Sequence, residues 1–382
     1  MKLLKPVCRP ALAAAAALIL AGPAWAHHGF GQYDMDHELK EYKGTVDRFY
    51  LVNPHSYVIF TVQKDGKPFQ MQCGMRSATL LKRSGWPIAM FKPGVKIDVL
   101  GHPHRSDPHH CYVESITLGG TTINRNEQFS GTSDVDTSNR PLETASGDPN
   151  ISGDWAVEEG VLTVPPGGGR GAIVPKHLRE AFATGKITLQ QIRAQYPRSP
   201  RPVYTPAGEA AAKAFKMRSQ KDNPRFSCKV TSILFDWTFD WPINRILQHK
   251  TASGQKVIDI TYGSYNAKRR IWVGMDAHPA NLTPSRAGNS IGHWEGDTLV
   301  VDTIGFKPGV LVPPTRNSDK LHIIEHFTLN TKDWSLTHTW TAMDPVYLAQ
   351  PYKGSDINHL SEVPYQNFPC KDLTYAQGGT VQ

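Results

Sequence analysis

Between Lys43 and Ile123 the chain consists of short runs in which apolar and polar residues alternate, with β-branched and aromatic side chains prominent. Alternation broken by Asp-Gly turns is typical of an antiparallel meander. A helical pattern over 77–84 separates the third run from the fourth. Five strands with one helix in this position predict a small OB-like barrel, and a plain five-stranded sheet with a packed helix is the alternative. The predicted strands are 44–52, 56–62, 69–73, 96–101 and 112–118.

The C-terminal half shows the same kind of pattern over a longer stretch, from Phe226 to Asp344. At least six runs alternate, and a clear hairpin is centred on Gly296-Asp297. So many strands in about 120 residues predict an antiparallel barrel or sandwich with one solvated face. The predicted strands are 246–249, 257–262, 269–273, 298–303, 321–329 and 335–342.

Less regular sequence connects the two strand-rich regions. Residues 124–150 are rich in Ser, Thr, Gly, Asn and Asp, bury little apolar surface, and predict a linker. Residues 151–225 combine a Pro-Gly segment with short helical patterns. The chain is therefore predicted to be mainly β, with few helices. Its parts are an OB-like domain at 27–123, a linker at 124–150, a loop and helical connector at 151–225 and an antiparallel β domain at 226–382.

The first 26 residues resemble a secretory signal peptide, with basic residues, the apolar run 11–21 and then Ala24-Trp25-Ala26. Cleavage near Ala26 removes three basic and no acidic residues, so the net charge falls from +8 to +5. No later apolar run is long enough for a transmembrane helix, so no membrane span is expected. The composition, 39% hydrophobic and 20% charged, excludes collagen-like, coiled-coil and wholly disordered chains. We expect an exported protein, periplasmic or secreted.

Four cysteines remain beyond the predicted signal peptide, and an oxidising compartment favours two disulfides. Pairing within each strand-rich region would link Cys73 to Cys111 and Cys228 to Cys370. The sequence alone permits three connectivities, and four free or buried thiols are the alternative.

Histidines are concentrated near the N-terminus, where eight of the sixteen lie between residues 27 and 110. Cleavage at the predicted site gives His27 a free α-amino group that, with its imidazole, can chelate one metal ion, and nitrogen ligands suit copper or zinc. His102 and His104 would share one face of an extended segment. A His-rich tail and loop without metal is the alternative. The candidate ligands are His27, His28, His55, His102 and His104.

Two predicted strands of the C-terminal domain each carry an ionisable residue among apolar ones. Alternation places Glu325 on the face of Phe327, and His338 on the face of Trp340. Burial raises the pKa of a carboxylic acid and a neighbouring imidazolium lowers it, so such a pair can exchange protons near neutral pH. A satisfied structural ion pair is the more common use of such residues, and a hydrolase or lyase site that includes Asp302 from the adjoining hairpin is the alternative.

Five of the nine tryptophans fall in the C-terminal strand region. Their rings either pack the core or line a pocket for a flat or sugar-like ligand. The basic run Lys268-Arg269-Arg270 is too short for a nucleic-acid surface and predicts a solvated strand edge. The candidate ligand-binding residues are Trp294, Trp340, His293 and Glu295.

Three N-terminal motifs indicate a family: Ala26-His27-His28-Gly29, Gly44-Thr45-Val46 and Val52-Asn53-Pro54-His55. They resemble the DUF6152 family, exported bacterial domains of unknown function. The C-terminal half, with Lys221-Asp222-Asn223-Pro224 and the hairpin at 290–303, resembles uncharacterised exported proteins that often follow such a domain. The resemblance implies export and carries over no activity.

These patterns together predict an exported protein that binds a small-molecule ligand in its C-terminal domain, with copper or zinc at the N-terminal histidines. The alternative is a periplasmic hydrolase or lyase that uses the Glu325–His338 pair. A third possibility is an envelope scaffold with neither site. Nothing in the sequence indicates a nucleic-acid partner or a protein partner.

Overall fold

A computed structural model describes residues 33–368 apart from 36–38, 54, 126, 128–134, 158–159, 164, 169–171, 196–200, 218, 220, 240 and 266. Strands dominate the described residues and the helices are short. The mainly β fold with two barrels and few helices agrees with the prediction from the alternation of polar and apolar residues.

The N-terminal region forms a small five-stranded barrel. Its elements are β1 (Lys40–Tyr50), β2 (Tyr57–Lys64), β3 (Lys67–Gly74), α1 (Ala78–Arg83), a 3-10 turn at Ile88–Met90, β4 (Lys96–Pro103), β5 (His110–Leu118) and β6 (Thr121–Asn124). β1 pairs with both β2 and β4, and β3 pairs with β5 in parallel, which closes the ring. β6 extends the edge of β5. This closure confirms the OB-like barrel rather than a plain sheet.

Close approach between β1 and β2 explains one of the glycines in this barrel. A β-carbon at Gly44 would lie 2.4 Å from the backbone oxygen of Thr61, so only glycine permits this separation of the strands. The core beneath is apolar, with Val58, Phe60 and Val99 fully buried. Their inward positions follow from the period-two alternation along β2 and β4.

A disulfide between Cys73 and Cys111 joins β3 to β5 where the small barrel closes. The two cysteines are fully buried and directly paired across the parallel strands, as the sequence predicted. Cys228 is also disulfide-bonded, and the partner predicted for it, Cys370, lies outside the described residues.

The C-terminal half forms a closed barrel of nine strands. They are β7 (Gly153–Val157), β10 (Ile243–Lys250), β11 (Lys256–Thr261), β12 (Lys268–Val273), β13 (Asn289–Glu295), β14 (Thr298–Ile304), β17 (His322–Asn330), β18 (Ser335–Met343) and β19 (Tyr352–Leu360). Neighbouring strands are antiparallel except β12 and β13, which run in parallel. The predicted hairpin at Gly296-Asp297 joins β13 to β14, and Gly296 adopts a φ of 57° that glycine favours. Closure selects the barrel over the sandwich.

One strand of this barrel comes from the segment predicted as a loop and helical connector. β7 lies between β10 and β19 and completes the ring, although it stands 85 residues or more before the next barrel strand in the chain. The predicted domain boundary at 226 is therefore corrected, because the C-terminal barrel recruits residues 153–157. The rest of 151–225 contributes the hairpin of β8 (Gly160–Thr163) and β9 (Ala172–Pro175) together with α2 (Arg179–Ala183), α3 (Leu189–Gln195) and α4 (Pro206–Ala214).

The remaining elements pack against the large barrel. The short helix α5 (Phe235–Thr238) directly precedes β10 and buries Trp237 in the barrel core. The hairpin of β15 (Gly309–Val312) and β16 (Thr315–Asn317) lies between β14 and β17 in the chain. The two barrels touch where Arg83, at the end of α1, donates to the backbone oxygens of Trp241 and Val157. In the described part of the chain, no helix is both long and apolar enough to cross a membrane.

Candidate functional site

The interior of the nine-stranded barrel holds a network of charged side chains. Arg269 on β12 donates to both carboxylate oxygens of Glu325 on β17. Glu325 also accepts from Nε2 of His338 on β18 at 3.1 Å, and Nδ1 of His338 donates to Asp356 on β19 at 3.1 Å. The side chains of Arg269, Glu325 and His338 are each only 1% exposed. Sequence alternation therefore predicted the inward positions of Glu325 and His338 correctly.

Uncharged neighbours complete the hydrogen bonds of this network. Arg269 donates to the hydroxyl oxygens of Ser290 at 2.9 Å and Thr303 at 2.8 Å. Trp237 donates its indole N–H to Asp356 at 3.0 Å, and the amide of Asn358 donates to the same carboxylate. Two cationic side chains thus face two carboxylates, which is how buried charges are stabilised in a low dielectric. The arrangement is that of a structural ion network.

The protonation states of the pair follow from these contacts. Burial by itself raises the pKa of Glu325, but the charges and hydrogen bonds of Arg269 and His338 outweigh it and hold the pKa at about 2. Burial alone lowers the pKa of His338, but Asp356 and Glu325 outweigh that effect and raise the pKa to about 9. At neutral pH Glu325 is a carboxylate and His338 an imidazolium, so neither is poised to exchange a proton.

The raised pKa of His338 makes stability depend on pH. The folded state binds this proton more tightly than the unfolded state, so the stabilisation is complete below the ordinary histidine pKa near 6.5 and is lost as the pH rises towards 9. We expect the free energy of unfolding to fall between pH 7.5 and 9 by up to about 1.4 kcal/mol per pH unit.

Urea unfolding at several pH values measures this slope. His338→Gln should flatten it, whereas His326→Gln, on the neighbouring strand and partly exposed, should keep it. Equal slopes in the wild type and His338→Gln would contradict the assignment of the proton to His338.

Asp302 does not join the network. On β14 the fully buried neighbours Val301 and Thr303 face the barrel interior, so Asp302 faces outward with its side chain 40% exposed. There Asp302 contacts Nε2 of His278 at 3.1 Å and Nε2 of His322 at 3.0 Å. The grouping of Asp302 with Glu325 and His338 predicted from the sequence is corrected, because the barrel wall separates the two sites.

A pocket of about 280 Å³ lies at one end of the large barrel, where β10, β12 and β13 end and β11 begins. Trp294 forms its aromatic side, beside the apolar side chains of Ile258 and Val273. The indole Nε1 of Trp294 is buried and has no hydrogen-bond partner in the described structure. We call this cavity the mouth pocket. Its remaining lining residues are Thr144, Ala145, Ser146, Asp148, Gln248, His249, Lys250, Lys256 and Val257.

The other three predicted ligand-binding residues lie elsewhere. His293 and Glu295 alternate with Trp294, so they stand on the outer face of β13, where they pair with each other at 3.0 Å and are 60% and 65% exposed. Trp340 points into the barrel core and packs against His338, with ring centroids 5.2 Å apart. Only Trp294 of the four lines the mouth pocket.

The structure does not gather the predicted metal ligands. His27 and His28 lie outside the described residues. His55 is partly buried, and desolvation of its ring together with the nearby charge of Arg225 lowers its pKa to about 4. His102 contacts Glu114 and a backbone oxygen, and His104 accepts backbone N–H groups from the loop that follows it. Among the residues that the structure describes, no group of three or more His, Cys, Asp or Glu side chains is arranged to hold a metal ion. The copper or zinc site stays a prediction.

Two residues of the site were missed in the sequence. Arg269 was interpreted as part of a solvated basic edge, yet it is buried, whereas Lys268 and Arg270 are exposed. Alternation with Ile271 and Val273 in the same strand was the signal that could have placed Arg269 inside. Lys256 gave no signal, because its partner Asp148 lies in the segment predicted as a linker.

Comparison with known proteins bears on the N-terminal region. Residues 16–112 match the family model described as Family of unknown function (DUF6152). The match covers the small barrel as far as the start of β5, and the resemblance based on the Gly44 and Asn53 motifs is thereby confirmed. No curated protein matches the chain.

Proposed function

We propose that this protein is an exported binding protein that holds a small, flat organic molecule in the mouth pocket. The buried indole N–H of Trp294, without a hydrogen-bond partner, carries the proposal. A buried donor left unpaired costs about 1–3 kcal/mol, and a ligand that turns the indole ring until its N–H meets a ligand oxygen in the pocket would recover that cost. An aromatic wall with one unused donor is the usual composition of a small-molecule site, in which apolar contacts supply affinity and a few polar groups set orientation.

Export is supported by the oxidised pair Cys73–Cys111. Disulfides persist in the periplasm and outside the cell and are rare in the cytosol. The basic and apolar pattern of residues 1–26 points the same way. A binding protein in that compartment fits a chain whose large barrel has a pocket at one end.

The catalytic alternative has less support. Glu325 and His338 are almost fully buried, and each polar atom of the two side chains that could act on a substrate is already engaged by a neighbour. A general acid or base has to reach the proton that it transfers, directly or through one water molecule. The described contacts favour binding over hydrolase or lyase chemistry.

Indole N–H resonances test the proposal directly. We use benzamide as the probe, since its ring is flat and its carbonyl oxygen accepts a hydrogen bond. In protein labelled with ¹⁵N, benzamide should shift one indole N–H signal, and that signal should be missing from Trp294→Phe. The variant keeps a ring but loses the donor, so its affinity for benzamide should fall by about 3–10-fold.

Stability separates a binding role of Trp294 from a structural one. Trp294→Phe removes an unpaired donor, so the free energy of unfolding should stay the same or rise slightly. Trp272→Phe is the matched control, because Trp272 lies on β12 with its side chain facing outward under Arg270. Equal benzamide affinity in the wild type and Trp294→Phe, or no indole shift at saturating benzamide, would overturn the proposal.

A further inference from the structure

One wall of the mouth pocket is a loop held in a distinctive way. We call residues 142–150 the strap. Its two arms pair through Glu143 and Pro149, and the backbone N–H of Thr144 donates to the backbone oxygen of Asp148. The tip, from Thr144 to Asp148, faces the pocket, since four of its residues line the cavity. The strap is thus a narrow hairpin whose tip forms one wall of the pocket that Trp294 also lines.

The base of the strap is held against the barrel by several hydrogen bonds to its backbone groups. The side-chain oxygen of Gln248 accepts the backbone N–H groups of Ile151 and Ser152 at 2.8 and 2.9 Å. The amide nitrogen of Gln248 donates to the backbone oxygen of Pro149 at 3.0 Å. Arg140 donates to the backbone oxygen of Asn150 from the other side. These contacts do not depend on the tip.

In the described structure, one cationic side chain, that of Lys256, holds the tip of the strap. Nζ of Lys256 lies 2.8 Å from a carboxylate oxygen of Asp148 and 3.3 Å from the backbone oxygen of Ser146. Both charged side chains remain partly exposed, at 37% for Lys256 and 18% for Asp148. An ion pair at this exposure contributes little to stability, so an external carboxylate can replace Asp148 at low cost.

The charge of the pocket favours an anion. Its ionisable lining residues are Asp148, His249, Lys250 and Lys256. His249 pairs with Asp259 on the outer face, and Asp148 neutralises Lys256. In the described structure Lys250 makes no ion pair, so the pocket has a surplus of positive charge. This positive charge attracts a ligand that carries one negative charge.

We infer that the mouth pocket takes a small aromatic carboxylate, whose carboxylate group displaces Asp148 from Lys256 while its ring lies against Trp294. The contact with Asp148 shows the kind of group to which Lys256 donates, a planar carboxylate at hydrogen-bond distance. Displacement frees the tip of the strap, whereas the base stays in place on Gln248. This inference rests on the proposed function, because it assigns a ligand class to the same pocket.

Benzoate and benzamide test the ligand class, since the two molecules have the same shape and differ in charge. Benzoate should bind the wild type more tightly than benzamide. Asp148→Asn removes the internal competitor and should strengthen benzoate binding by about fivefold or more, with benzamide changed less than about twofold. Lys256→Gln should weaken benzoate binding by about tenfold or more and leave benzamide unchanged.

The controls keep the two proposals distinguishable. Lys353→Gln, an exposed lysine on β19, should leave both affinities unchanged, and thermal melts should show that all variants are folded. If benzamide shifts the Trp294 signal but benzoate binds no more tightly, or if Asp148→Asn weakens benzoate, the inference is overturned and the proposed function stands. If neither probe shifts the Trp294 signal, the proposed function fails and the inference with it.

Discussion

Replacement of Glu325 with alanine is expected to lower the free energy of unfolding by about 3–5 kcal/mol. The substitution leaves Arg269 buried with no carboxylate to pair with, and it removes the acceptor for Nε2 of His338. An uncompensated charge in a low-dielectric core is among the most costly defects that a single substitution produces. Urea or guanidinium unfolding, followed by tryptophan fluorescence and circular dichroism, measures the loss.

Two further variants isolate the charge effect. Glu325→Gln keeps the volume and one acceptor but still leaves Arg269 unpaired, so its loss should also be large. Glu295→Ala on β13 removes an exposed carboxylate from a surface pair and should change the free energy of unfolding by less than about 0.5 kcal/mol. A Glu325→Ala protein as stable as the wild type would mean that water reaches this site, and it would favour the catalytic alternative.

Loss of the disulfide in the small barrel is the second large effect. With both Cys73 and Cys111 replaced by alanine, the N-terminal barrel should lose about 3–4 kcal/mol of stability. The cross-link spans 38 residues, and opening it gives the unfolded chain the entropy that loop closure removes. Because both sulfurs are fully buried, the variant also loses packing at the β3–β5 junction.

Reducing agent supplies the control for this prediction. Wild-type protein unfolded in dithiothreitol should show a lowered midpoint that lies above that of the double alanine variant, because the reduced protein keeps the packing of both sulfurs. Dithiothreitol should not lower the variant's midpoint at this transition further. Unfolding of each barrel should be followed separately, since two domains need not unfold in one step. A wild-type midpoint that is insensitive to complete reduction would contradict the prediction.

The architecture of the small barrel was predictable because its signals are local. Each strand is a short alternating run, the turn at Asp65-Gly66 joins two of them, and the helix interrupts the pattern between the third strand and the fourth. The pairing of Cys73 with Cys111 was predicted from an expected oxidising compartment and from the position of both cysteines in one predicted domain, although the sequence permitted three connectivities. Register across the parallel β3–β5 closure, by contrast, depends on residues about 38 positions apart and has no local signature.

In the large barrel, too, the local features were predictable from the sequence and the long-range contacts were not. Alternation within β17 and β18 was enough to turn Glu325 and His338 inward. It gave no indication that Arg269, 56 residues earlier in the chain, would reach Glu325 across the barrel. Barrel closure determines which buried charged side chains come into contact. Closure in turn depends on β7, which pairs with strands that lie 86 or more residues away in the chain.

Which side chains share a face of each strand was predictable from the alternation of polar and apolar residues, because a period of two is a local property of extended chain. The same alternation places Trp294 on the opposite face of β13 from His293 and Glu295, which the prediction of a single ligand-binding group did not take into account. Only the tertiary structure decided what the inward faces meet: a filled ion network at Glu325, and an open pocket at Trp294 beneath the strap. Those outcomes are long-range, since the contacts that produce them join segments whose proximity exists only after the barrel has closed.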